Sequence, residues 1–245
     1  MKIVEGISSI DMGEEILTQK VLDHGLVRLV DCMGSDLSVV RSARVSFNAA
    51  WRTGEDEGKD AKLIHYLMKN RHTTPFESVN FTFDVKAPIF VFRQWHRHRT
   101  WSYNEVSARY AELPEEYYIP KAEHVGTQSK DNKQARDLAS AAGLTEADLK
   151  FIDDLQKHSA QGFMYYKEHI QAGVPRELAR LFLGLNTYSQ MFASVDLHNL
   201  FHFLKLRLHS HAQMEIRVYA QAMLELIRPV APITVAAWEE HIYTK

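Results

Sequence analysis

Cysteine is almost missing from this chain, because Cys32 is the single thiol in 245 residues. No intramolecular disulfide is possible, and a reducing setting, the cytoplasm, is expected. No stretch approaches the ~20 consecutive apolar residues of a membrane-spanning helix. The opening residues, MKIVEGISSIDMGEE, lack the basic start and apolar run of a secretory signal. An excess of one charge is lacking too: 29 Lys and Arg face 31 Asp and Glu, a formal net charge of -2. No global basic field exists for wrapping nucleic acid, so a nucleic-acid partner is not expected. Internal repeats, low-complexity tracts and obvious linkers are also missing.

What remains is ordinary globular usage, with 45% hydrophobic and 24% charged residues. A chain of this length can bury a substantial core, and one domain over residues 1–245 is the economical reading. Leu26 to Met33 is branched, apolar and stopped by Gly34, which predicts a buried strand. Ser35 or Asp36 then caps a helix through Val39, Val40 and Ala43. Trp51 to Lys62 is polar and glycine-containing, a loop leading into a helix over Leu63 to Met68. Ser78 to Val85 alternates Val79, Phe81, Phe83 and Val85 with polar partners, the clearest half-buried strand.

Pro88 opens a short apolar helix that ends in the basic run Arg97-His98-Arg99. Glu115 to Pro120 is loop or edge, and Lys121 to Leu144 is a polar, variable surface insertion. Thr145 begins a capped helix over Ala147 to Ala172. Pro175 opens another through Leu181, and one long helix is expected from Asp196 to Leu226, with Leu197, Leu200, Leu204 and Leu208 on one stripe. Pro229 and Pro232 end it. The sum is an α+β fold, an antiparallel sheet flanked by helices.

The most unusual segment is Arg93 to Tyr110, RQWHRHRTWSYNEVSARY. Guanidinium groups recognise phosphates and carbonyl edges through paired donors, and Trp and Tyr offer flat surfaces to heterocycles. The combination suggests a nucleotide site. A solvated basic loop whose aromatics pack inward explains the same composition, and composition alone does not separate the two.

Spacing adds a resemblance. Arg97-His98-Arg99, seven residues and then Ser107 resembles the R-H-R-x7-S signature of the flavin-dependent thymidylate synthases, with Gln94 before it and Asn104-Glu105 inside it. Family-like segments follow the same order along the chain. They are ARVSF at 43–47, HTTPFE at 72–77, PRELAR at 175–180 and LRLHSHAQ at 206–213. The resemblance implies the thymidylate synthase-complementing protein fold. It also implies methylation of dUMP to dTMP with methylenetetrahydrofolate as donor, FAD as cofactor, NADPH as reductant and a homotetramer.

Residue by residue, it places Ser46, Thr74, Glu77, Arg97, His98, Arg99, Asn104 and Glu105 at the flavin. Gln94, Arg97, Glu105, Ser107, Arg109, Arg180 and Arg207 fall on the dUMP-binding positions. Arg207, Ser107 and His72 are the catalytic candidates, Arg207 to stabilise negative charge on the uracil ring. Three positions depart from the family's Asn, Arg and Asn, namely Asp196, His198 and His202. Two of these, His198 and His202, share one helix face as four-apart neighbours. They are expected at the cofactor together with His211, which is expected on the face of Arg207. Cys32 sits in an apolar strand pattern, where a buried inert thiol is expected, not a nucleophile. No metal is expected at the site. The alternative is a metal-dependent enzyme using His198, His202, His209 and His211, although no H-E-x-x-H run is present.

Overall fold

The computed structural model describes residues 18–130, 135–137 and 144–243. Its centre is the alternating strand: in β3 (Asn80–Pro88) Phe81, Phe83, Val85 and Ala87 are buried on one face. Strands β1 (Thr18–Val21), β2 (Gly25–Met33), β4 (Ser102–Glu105) and β7 (Tyr188–Asp196) complete a five-stranded sheet in the order β1-β2-β3-β7-β4. Every pairing in it is antiparallel, and a register shift in β2 between Leu29 and Asp31 marks a bulge. Gly25 is needed where β2 begins, because a Cβ there would lie 2.0 Å from the Tyr219 hydroxyl and 2.6 Å from the Val21 carbonyl. On the opposite face Asp84 is buried beneath Arg28 and Gln190, which donate to its carboxylate at 2.9 and 2.7 Å.

Helices cover the apolar face. They are α1 (Asp36–Val45), α2 (Glu57–Lys69), α3 (Ile89–Trp95), α6 (Leu197–Arg207), α7 (Met214–Ile227) and α8 (Pro232–His241). Their buried side chains join those of β3 and β7 in one core that holds Trp95, Phe203, Tyr219 and Trp238. Each fully buried phenylalanine there contributes roughly 1.5–3 kcal/mol. The long α4 (Glu146–Gln171) and short α5 (Arg176–Ala179) carry a smaller cluster of Phe163, Tyr166 and Ala179. The expected cap of α4 is present: Thr145 Oγ1 accepts from the Asp148 N–H, and the Asp148 carboxylate accepts from the Thr145 N–H at 2.9 Å. The α+β class and the antiparallel sheet flanked by helices are both observed. Among the described residues, no helix is long and apolar enough to cross a membrane.

Several expectations need correction. Helix α2 begins at Glu57, six positions before Leu63, because Asp56 caps it by accepting from the Lys59 N–H at 3.0 Å. Pro88 closes β3 and is the N-cap of α3, so it lies just outside the first turn. The single long helix over Asp196 to Leu226 does not form. Asp196 ends β7 and caps α6 by accepting from the Asn199 N–H at 2.9 Å. Residues 208–213 then interrupt the chain before α7 begins at Met214. There Gln213 takes an extended ψ of 136° and the Ser210 carbonyl accepts from Arg217, so the helical ladder cannot continue. Pro232 opens α8 instead of terminating α7.

The expected insertion at 121–144 contains a 3-10 turn over Ala122–His124 and a two-stranded ribbon, β5 (Thr127–Gln128) with β6 (Arg136–Asp137). It is anchored to the core, because Arg136 donates to buried Glu215 at 2.7 Å. Residues 131–134 and 138–143 of that segment, and the opening residues read for a signal, lie outside the described residues.

Candidate active site

The short helix α3 fixes the basic run by burying its own end. Trp95 is fully buried, stacked 4.9 Å from Phe203 and edge-on to Trp101 at 5.9 Å. The chain then turns back into β4, where Tyr103 donates its hydroxyl to the carbonyls of His98 and Trp95 at 2.8 and 3.2 Å. Within this loop the run alternates: Arg97 and Arg99 are exposed and His98 is buried.

His98 meets Arg207 from α6. Arg207 donates through Nε to His98 Nε2 at 3.0 Å and through a terminal nitrogen to the Gln94 carbonyl at 3.0 Å. Burial, then the charge of Arg207 and the nearby His202, push the His98 imidazole down to about 4. It is therefore neutral near pH 7, with the Nε2 lone pair directed at Arg207 and the proton on Nδ1. Arg207 is half-buried with its pKa lowered, first by burial and then by Arg97. Among the described residues, Arg97, Arg99 and Arg207 form no ion pair with a carboxylate. Guanidinium charge without a carboxylate partner creates a place for an anion. Gln94, the neighbouring candidate, donates its side-chain amide to the Gln213 side chain.

A second cluster forms around Glu177. Its carboxylate pairs with Arg109 at 3.3 Å, and its carbonyl accepts from Arg180 Nε at 3.2 Å. Ser107 joins it by accepting from the Arg109 N–H at 3.3 Å. Glu105, at the end of β4, accepts from the Ser189 hydroxyl at 2.7 Å, and Asn104 is exposed beside Phe192.

A third group lies at the end of α1. Ser46 is its C-cap, and Thr74 and Glu77 belong to the 3-10 turn Thr74–Ser78. All three side chains are exposed, and His72 sits edge-on to Tyr66 at 5.7 Å. The catalytic candidates Arg207, Ser107 and His72 therefore occupy separate clusters within one chain.

Helix α6 links the first group to two clefts. His198 and His202 line one of about 160 Å³ against Phe201, Thr73 and Trp238, with Lys205 on the same helix face. Arg207 and His211 line the other, an open cleft of about 570 Å³; the shared helix face expected for that pair does not form, because His211 lies beyond the end of α6. The four-histidine metal reading loses its basis in this arrangement. The break after Arg207 puts His209 and His211 against each other, at 4.7 Å between rings, while His202 faces His98 at 6.3 Å.

Three residues of these clusters were not singled out individually from sequence. Lys205 could have been, since it continues the spacing of His198 and His202 along one face. Gln213 and Glu177 lie inside family-like segments, but their pairing with Gln94 and Arg109 is tertiary and leaves no local signal.

Residues 28–233 match the family model described as thymidylate synthase complementing protein. A flavin-dependent thymidylate synthase from Thermus thermophilus is 50% identical over 226 residues, covering 92% of this chain and 80% of its own. One from Ehrlichia ruminantium (strain Gardel) is 49% identical over 231 residues, covering 93% and 75%. Among solved structures, a UMP/dUMP methylase, PolB, from Streptomyces cacaoi bound with 5-Br dUMP superposes with a TM-score of 0.81. It is 36% identical and covers 91% of this chain and 97% of its own.

Proposed function

The chain belongs to the flavin-dependent thymidylate synthase family, and from that premise we propose that it converts dUMP to dTMP using methylenetetrahydrofolate, FAD and NADPH. The observation that carries this reading is the arginine held by a neutral histidine. Arg207 uses two donors on His98 and Gln94, and the rest of its fork is free for a ligand. That cation, held in a half-buried setting, stabilises negative charge developing on a uracil carbonyl. Ser107, Arg109 and Arg180 supply the donors that a phosphate dianion needs. Displacement of the Glu177 carboxylate from Arg109 by phosphate would complete the binding.

The residues present suit FAD. Arg97, Arg99 and Lys205 are exposed cations suited to a diphosphate, and Lys205 lines the α6 cleft whose wall includes Phe201 and Trp238. When bound, the flavin supplies the hydride that turns the transferred one-carbon unit into a methyl group. The chain's own residues position and polarise. His198, His202 and His211 offer hydrogen bonds, and Ser46, Thr74 and Glu77 lie on an exposed edge open to a ligand shared between subunits. A homotetramer, with sites built from the separate clusters of several chains, accounts for that separation. One domain over 1–245, acting in the cytoplasm, completes the reading, and the lone Cys32 suits a reducing compartment.

The test is dTMP formation by purified protein, with each component omitted in turn. Loss of product without folate or without NADPH is expected; dTMP made without folate would overturn the assigned donor.

A further inference from the structure

Away from these clefts, α2 and α8 bring together three metal-ligating side chains, His65, Glu240 and His241. His65 Nδ1 lies 3.2 Å from His241 Nε2 and 3.2 Å from a Glu240 carboxylate oxygen. The other Glu240 oxygen is 3.7 Å from His241 Nε2. Zinc binds imidazole nitrogen and carboxylate oxygen at about 2.0–2.2 Å, and a tetrahedron of that radius has edges of about 3.3–3.6 Å. The separations of 3.2 Å from His65 Nδ1 to each partner, and of 3.7 Å from His241 Nε2 to the second Glu240 oxygen, lie close to that edge. We propose that His65, Glu240 and His241 form a zinc site that clasps α8 to α2.

The orientation of the rings supports the assignment. The two imidazoles stand at 88° with centroids 5.3 Å apart, and one nitrogen of each lies within 3.2 Å of the other. Two neutral imidazoles in that pose satisfy each other with one hydrogen bond, and a carboxylate beside them adds only acceptors. A divalent cation takes all three as ligands at once. Both histidines are half-buried, whereas Glu240 is 61% exposed, so the ion has a route from solvent and a fourth position for water. The ligand set is two nitrogens and one oxygen, which favours zinc over calcium or magnesium.

The site would act on the walls of the cleft at α6. Helix α2 contributes Leu67 and Met68 to that cleft, and Trp238 and Ile242 flank the ligands of α8. Zinc would therefore fix the two walls relative to each other and raise thermal stability.

The experiment is to incubate the full-length protein with zinc chloride, dialyse it, and measure bound metal by mass spectrometry together with the melting temperature. The wild type is expected to retain about one zinc per chain and to melt higher with zinc than with a chelator. His241→Ala and Glu240→Gln should lose the metal and the zinc-dependent rise. Glu240 is mostly exposed, so Glu240→Gln tests the site even where His241→Ala fails to fold. Cobalt substitution should give the intense visible bands of tetrahedral coordination. A wild type that dialyses free of zinc would overturn the proposal. So would equal retention in Glu240→Gln, or loss in His202→Ala with retention in His241→Ala.

Discussion

Arg207 donates through Nε to the Nε2 of buried His98 at 3.0 Å, so the histidine of the basic run supports an arginine that lies 109 positions later. This contact explains why the run alternates inward and outward. The two flanking arginines face solvent, and the histidine fixes the direction of a third.

Replacing Arg207 should therefore separate charge from geometry. Arg207→Lys keeps the positive charge, but an ammonium cannot span His98 Nε2 and the Gln94 carbonyl with a planar fork. Both Arg207→Lys and Arg207→Ala should lower kcat/KM for dTMP formation by roughly 100-fold or more. Near wild-type turnover in Arg207→Ala would remove its assigned role.

The His98–Arg207 bond also sets a pH dependence. The folded imidazole titrates at about 4 against an ordinary 6.5, so the unfolded chain takes up the proton first. Stability should be complete above about pH 6.5, fall as pH drops through that window and level off below about 4. Melting temperatures of the ligand-free protein should follow this course, and His98→Asn should flatten the part of the slope due to this group.

Cys32 is partly buried in β2, and its thiol pKa is raised by burial and by Asp31. The expectation of a fully buried thiol was too strong, yet a raised pKa keeps it from acting as a thiolate. Cys32→Ala should keep dTMP formation within about twofold; complete loss without unfolding would point to a cysteine nucleophile.

The buried carboxylate of Asp36 holds α8 in place. It accepts from the N–H groups of Ile233 and Thr234, each at 2.9 Å, and from the Thr234 hydroxyl at 2.6 Å. Asp36→Ala leaves those donors without a partner and should cost about 3 kcal/mol, a drop of roughly 6–12 °C in melting temperature.

How far the sequence anticipates this structure depends on how local each signal is. The alternation in β3 and the Thr145 cap of α4 are written within a few residues, and both were legible. Strand β7 and the break between α6 and α7 were not. The leucine stripe of α6 is followed by Ile216 with no Gly or Pro between, so nothing local stops a continuous helix. What interrupts it is tertiary, with Arg207 held by His98 and Gln213 held by Gln94. For the site, the basic run was legible as chemistry. Its division into an Arg207 cluster and a Glu177 cluster was not, because each depends on contacts between distant elements.

The most direct measurement is the visible absorbance spectrum of the purified protein, recorded before and after dUMP is added. The wild type is expected to show a bound-flavin spectrum that shifts with dUMP, and Arg207→Ala one that shifts weakly or not at all. A protein that shows no flavin band even after FAD is supplied, and no response to dUMP, would contradict the assigned function.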